Sequence, residues 1–218
     1  MFKRSLFLFT VFLAGLNSPT LAQTSDNGQG YPMPGLPGIS VAEGLDGSGN
    51  IASLLVYQHG QQVQSLDVCT ANPVPRLSPV GSLNTTDFNF DGLPDLALQV
   101  SAGKGNNRYC VWLFDPGTQR FVPNQRLSEL PNPMPDPKTK TVQSTEILGC
   151  NGACFTRKIY RWSGHDLEMV RSETRTRDPL AIGFGGCDYI LSISETKDGE
   201  PHEVSRERVN ASGVRCDQ

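Results

Sequence analysis

The chain has 218 residues, with 19 Lys and Arg against 22 Asp and Glu, 22 Gly, 16 Pro and six Cys. That length holds one domain, or two small ones, with a substantial core. A formal net charge of −3 leaves no surface able to displace counterions from a nucleic-acid backbone, and hydrophobic residues at 37% are too many for a disordered chain and too few for a multi-span membrane protein.

The first element is an export signal. Lys3 and Arg4 form a short basic start, Leu6 to Leu16 is apolar, and the small residues Thr20 and Ala22 precede Gln23. This predicts a signal peptide over 1–22 and no membrane anchor, because Asn17 and Pro19 interrupt the apolar run early. Leu16 stands where a lipidated Cys would be needed, so the exported product reads as soluble, periplasmic or secreted. Losing Lys3 and Arg4 leaves 17 basic against 22 acidic residues, a net charge of −5. Residues 23–38, rich in Gly, Pro, Ser and Asn, read as a flexible entry segment, and a single domain is expected over 39–218.

From Ile39 onward the apolar pattern has period two. Strands are predicted at Ile51–Tyr57, Val63–Val68, Asp95–Ser101, Tyr109–Phe114, Arg120–Val122, Thr141–Leu148, Phe155–Trp162, Leu167–Ser172, Tyr189–Glu195 and Glu203–Val209. Turn residues separate them at the spacing of an all-β antiparallel barrel, sandwich or propeller. No long stretch repeats apolar residues at helical spacing, which leaves one helical turn at Leu127–Leu130. Pro131, Pro133, Pro135 and Pro137 make the following segment an extended loop. Asp46–Asn50 reads as a turn.

Asp87–Phe88–Asn89–Phe90–Asp91–Gly92–Leu93–Pro94–Asp95 carries the sharpest chemistry. Oxygen-bearing side chains recur at relative positions 1, 3, 5 and 9, with Gly at 6. A tight loop of this kind can aim Asp87, Asn89 and Asp91 at one point, with the Leu93 carbonyl and Asp95 completing an oxygen shell for Ca2+. Hard oxygen donors suit calcium, and soft ligands for zinc or copper are missing. Position 12 is Leu98, so the loop is not an EF-hand but resembles the calcium loops of exported β-proteins.

All six cysteines (Cys69, Cys110, Cys150, Cys154, Cys187 and Cys216) lie beyond the signal. An even count in an oxidising compartment predicts three disulfides. Cys150 and Cys154 flank an Asn–Gly turn that would bring them together. Order along the chain suggests Cys69 with Cys110 and Cys187 with Cys216, among the several schemes that six cysteines allow. No CxxC occurs, and His59, His165 and His202 sit at no ligand spacing, which disfavours zinc. GxSxG and HExxH are missing from the exported part, so an enzyme is not expected.

After the acidic loop, the series Asp95–Leu98, Tyr109–Thr118, Phe121, Leu127–Leu130, Asn132–Pro133 and Asp136–Lys140 resembles a family of exported bacterial β-proteins. These carry one DxNxDGxxD loop followed by a Y-x-V-x-L-x-D-P-x-T strand and turn. The match covers residues 50–175; a lipidated Cys is missing, six cysteines are extra, and the tail 179–218 lies outside it. The resemblance implies a small β-propeller-like fold, structural calcium, and similarity to periplasmic lysozyme inhibitors and immunity proteins against peptidoglycan hydrolases. It also makes Ser101–Tyr109 similar to the Ser…Tyr loop by which such inhibitors enter a glycosidase cleft. Lys104 or Arg108 would pair with cleft carboxylates there, Ser101 would hydrogen-bond one, and Tyr109 closes the loop. The partner implied is an exported, lysozyme-like peptidoglycan hydrolase. A carbohydrate-binding or adhesion module is the alternative on the same scaffold, and a calcium-dependent glycosidase a third.

Overall fold

A computed structural model describes residues 30–76, 81–181 and 188–216. The predicted signal peptide 1–22, residues 23–29 and Cys187 lie outside the described residues. The chain runs β1 (Tyr31–Pro32), β2 (Ile39–Leu45), β3 (Ile51–Gln58), β4 (Gln61–Asp67), β5 (Leu83–Thr86), β6 (Asp95–Ser101), β7 (Arg108–Asp115), β8 (Arg120–Pro123), α1 (Gln125–Ser128), β9 (Met134–Asp136), β10 (Thr141–Gly149), β11 (Cys154–Ser163), β12 (Asp166–Arg177), β13 (Tyr189–Lys197) and β14 (Glu200–Val209). It is all-β, in three antiparallel sheets whose strands follow chain order: β1 to β4, β5 to β8, and β9 to β14. None closes into a barrel, so that alternative is set aside.

The β5–β8 sheet is covered on both faces. Leu96, Leu98, Cys110, Trp112 and Phe114 join Val41, Ile51, Leu54 and Val56 of the first sheet in one core cluster. The intervening residues Ala97 and Val111 point the other way, into a second cluster with Leu127, Leu130, Val142, Tyr160 and Leu167. Double coverage is why β6 reads as a nearly continuous apolar run rather than an alternation. Gln64 ties the first two sheets at their edges: its side-chain amide donates to the Phe121 carbonyl (2.7 Å) and accepts from the Phe121 N–H (3.0 Å), as a strand neighbour would. The Cys69–Cys110 disulfide is a second tie between them.

Three expectations need correction. Residues 30–38 are not a flexible entry segment. Tyr31 and Pro32 pair with Val41 and Ser40, and Met33 and Leu36 are buried in the first core. The turn between them is closed by Met33 N–H to Ile39 O and Leu36 N–H to Met33 O. Gly30 passes so close to β2 that a Cβ there would stand 2.5 Å from the Val41 carbonyl carbon. Composition suggested a linker, whereas two apolar side chains spaced three apart anchor the turn. The proline-rich segment is also more than a loop, because Met134–Asp136 pairs with Thr141–Gln143. It does so as the outermost strand of its sheet, where proline is tolerated. Finally, Cys150–Gly152 forms a 3-10 turn with Cys150 and Asn151 both at positive φ, rather than a simple two-residue hairpin.

The helical turn appears at Gln125–Ser128, one residue pair earlier than expected. Asn124 caps it, its side-chain oxygen accepting from the Leu127 N–H at 2.9 Å. Cys150 is bonded to Cys154, as expected. Cys216 is also disulfide-bonded; its expected partner, Cys187, falls outside the described residues.

Candidate functional site

The acidic loop joins β5 to β6 at the point where all three sheets meet. Asp87 accepts backbone N–H groups from Asp91 (3.2 Å) and Gly92 (2.9 Å), and Asn89 accepts from Asp91 at 3.2 Å. The Asn89 amide donates to Asp91, whose other oxygen accepts from the Leu93 N–H at 2.8 Å. Gly92 is needed for its backbone: φ is +87°, while the space around it is open. Phe88 plugs the loop into the second core, and its carbonyl accepts from the Trp162 indole of β11 at 2.8 Å. Leu93 packs against the first core.

Asp95 opens β6 and is fully buried. One carboxylate oxygen accepts the Phe88 N–H (2.7 Å) and the other the Phe114 N–H (2.9 Å), so it locks the loop to β7. Burial pushes its carboxyl up to about 7, against the pull of those two N–H groups, and the nearby Asp91 and Asp87 charges push the same way. Among the described residues no Lys or Arg pairs with Asp87, Asp91 or Asp95. Three carboxylates crowded without a counter-charge, beside an amide oxygen, are chemically suited to a hard cation. Among the described residues no three His, Cys, Asp or Glu side chains stand in metal-holding geometry; Asp95 in particular turns its oxygens to the backbone.

The Ser101–Tyr109 loop has a fixed base and an open tip. Ser101 ends β6 opposite Arg108. Asn106 binds Ile147 of β10 as a strand would, accepting from its N–H at 2.7 Å and donating to its carbonyl at 2.9 Å. Asn132 donates to the carbonyls of Gly105 and Thr145 and accepts from the Asn107 N–H. Ser101 to Gly105, including Lys104, are exposed. Arg108 is exposed but donates to the Glu129 carbonyl of the α1 segment. Tyr109 is half-buried rather than projecting; burial pushes its phenol up despite a hydrogen bond to Asn107 that lowers it.

A groove of about 280 Å³ adjoins the base of this loop, and linear motifs did not point to it. Arg108 and the α1 segment form one wall, while β10 and β11 supply the floor with Ser144, Glu146, Thr156, Lys158 and Tyr160. The only signal in the sequence was indirect: alternation places Lys158 and Tyr160 on one face of β11, and pairing places Ser144 and Val142 beside them.

No family model matches the chain, and no curated protein matches it. Among solved structures, one described as "Structure of a Xanthomonas Type IV Secretion System related protein" is similar, with 22% identity and a TM-score of 0.55 over 85% of this chain and 98% of that one. At that identity the likeness is one of fold.

Proposed function

We propose that this is an exported, calcium-binding β-protein that binds and inhibits a lysozyme-like peptidoglycan hydrolase. The observation that carries the reading is the Ser101–Tyr109 loop, whose base is clamped by Asn106, Asn107 and Asn132, with Lys104 exposed at its tip and Ser101 exposed where β6 enters it. A loop held this way loses little conformational entropy when it enters a cleft, which favours inhibition over loose contact. A glycosidase cleft presents two carboxylates, and Lys104 can pair with one while Ser101 donates to it. The disulfides suit an oxidising compartment, and no helix among the described residues is long and apolar enough to cross a membrane. The Xanthomonas protein of similar fold is related to a type IV secretion system, which fits a cell-envelope setting.

The propeller-like architecture belongs to the same proposal, because each sheet is a meander in chain order, as propeller blades are. Calcium would be held by Asp87, Asn89 and Asp91, with the Leu93 carbonyl and Asp95 behind them, and its role would be structural: fixing the loop where the sheets meet.

The test is inhibition of a panel spanning the main lysozyme classes. Stoichiometric inhibition without peptidoglycan cleavage is expected, and Lys104→Ala and Ser101→Ala should weaken it while melting curves stay in place. Truncating a charge buried against the enzyme's carboxylates costs about 2–5 kcal/mol. If no member of the panel is inhibited while peptidoglycan fragments bind, the carbohydrate-binding module replaces this reading.

A further inference from the structure

The groove beside the loop combines charges in an unusual way. Arg108, Arg126 and Lys158 supply three cations, and Glu129 and Glu146 two anions. Among the described residues none of the five is ion-paired. The two guanidinium groups are positioned by neutral partners instead: Arg108 by the Glu129 main-chain carbonyl, and Arg126 by the Tyr160 ring, whose centroid is 5.7 Å away. A carbonyl and an aromatic face orient a cation without cancelling its charge. Arg108 also keeps most of its five N–H donors free. The floor adds Thr156, whose hydroxyl lies 3.3 Å from that of Thr174, while Ser144 is buried and spends its own hydroxyl on the Pro131 carbonyl.

We infer that this groove is a docking site for an acidic segment of a protein partner, an Asp or Glu seated among Arg108, Arg126 and Lys158. Glu129 and Glu146 set its specificity: they repel a second, misplaced carboxylate and can accept main-chain N–H groups of an extended peptide. An anionic sugar is the less suitable occupant, because pyranose rings stack on open aromatic faces. Tyr160 is buried, with Arg126 over its ring. Arg108 belongs both to this groove and to the Ser101–Tyr109 loop, so the two surfaces are continuous. The inference rests on the proposed protein partner, and extends its contact from a cleft-entering loop to a flanking acidic segment.

The experiment titrates the purified protein with an N-acetylated, C-amidated tetraglutamate peptide, its tetraglutamine analogue and N-acetylmuramic acid, following backbone amide NMR shifts. Shifts at Arg108, Arg126, Thr156 and Lys158 with tetraglutamate alone are expected. Arg126→Glu and Lys158→Glu should each weaken that binding about tenfold or more, with Arg126→Gln as a milder variant if charge reversal disturbs α1. Lys197→Glu, an exposed cation outside the groove, should leave it unchanged. An equal loss in Lys197→Glu would overturn the assignment, since attraction would then follow net charge alone. Groove shifts with N-acetylmuramic acid but not tetraglutamate would overturn it in favour of a glycan, and no shift with either would overturn it outright. Hydrolase inhibition is a separate readout, so a failure of the inhibitor reading leaves this result standing or falling by itself.

Discussion

The β5–β8 sheet and the β12–β14 end of the third sheet are both antiparallel, yet they are held by different forces. In the first, Leu96, Ala97 and Leu98 are all buried although they point alternately to opposite faces. In the second, nearly every side chain is half-buried or exposed, and Val204 on the outer strand is 55% exposed. Its cohesion comes from backbone pairing and from a ladder of charges across three strands: Arg157–Glu173, Glu173–Arg171 and Arg171–Glu195. Phe155 lies within cation–π reach of both Arg157 and Arg175. Burial sets stability in one sheet, and register with exposed pairs sets it in the other.

That contrast can be broken most forcefully at the disulfides. Cys69–Cys110 closes a loop with a sequence separation of 41 and ties the first sheet to the doubly covered one. Replacing both by Ser should lower unfolding free energy by about 4 kcal/mol on loop-closure grounds. Cys150–Cys154, with a separation of 4, should cost only about 2 kcal/mol. Denaturant unfolding of the two double mutants measures this; equal losses would mean that loop length is not what matters. Next comes Leu98→Ala, a truncation in the fully buried strand, expected to cost about 3 kcal/mol. Ile193→Ala, half-buried on β13, should cost about 1 kcal/mol or less.

Much of this division was legible in the sequence. The strands β7, β10 and β11 declared themselves by β-branched and aromatic alternation, and β6 by its short apolar run, because packing favours those residues wherever a face is buried. The acidic loop was legible as a tight turn because its geometry depends on residues close together in the chain, and Asp87, Asn89 and Asp91 are tied to one another by local hydrogen bonds. Tertiary features were not. Nothing local marks Met33 and Leu36 as core, since they sit among Gly and Pro and are buried by strands that arrive later. Asp95 reads as a calcium ligand by spacing, but its burial against Phe114 depends on β7. The groove joins Arg108, Arg126 and Lys158 from three separate segments, and no spacing rule connects them.

Asp95 gives a pH test of the central sheet. Its carboxyl is raised from 3.8 to about 7, so between those values the folded protein keeps a proton that the unfolded chain has released. That contribution to stability is therefore present at low pH and lost as pH rises through the window. Calcium has the opposite preference, because the proposed site needs the ionised form. Below about 7 each pH unit should weaken calcium binding roughly tenfold, which is about 1.4 kcal/mol of stabilisation. Melting curves with and without calcium should thus separate more at pH 8 than at pH 6, and Asp95→Asn should abolish that difference. A calcium effect independent of pH in the parent protein would remove Asp95 from the ligand set.

The smallest effect is expected in the charge ladder. Glu173 is the shared carboxylate: it meets Arg157 at 3.3 Å and Arg171 at 3.1 Å, with 19% of its side chain exposed. The arginines are 38% and 33% exposed, so water competes for both contacts. Exposed pairs of this kind contribute about 0.2–1 kcal/mol each and weaken in salt. Glu173→Ala should therefore cost about 1 kcal/mol at low ionic strength and less at high, whereas the cost of Leu98→Ala should not respond to salt. Arg157 raises the stake slightly, because its Nε is buried without a hydrogen-bond partner among the described residues, and losing Glu173 leaves the guanidinium less well satisfied. Melting both variants across a salt series decides between the two kinds of cohesion. A salt-independent loss for Glu173→Ala as large as that for Leu98→Ala would show that the ladder behaves as buried structure. The outer sheet would then be held as the central one is.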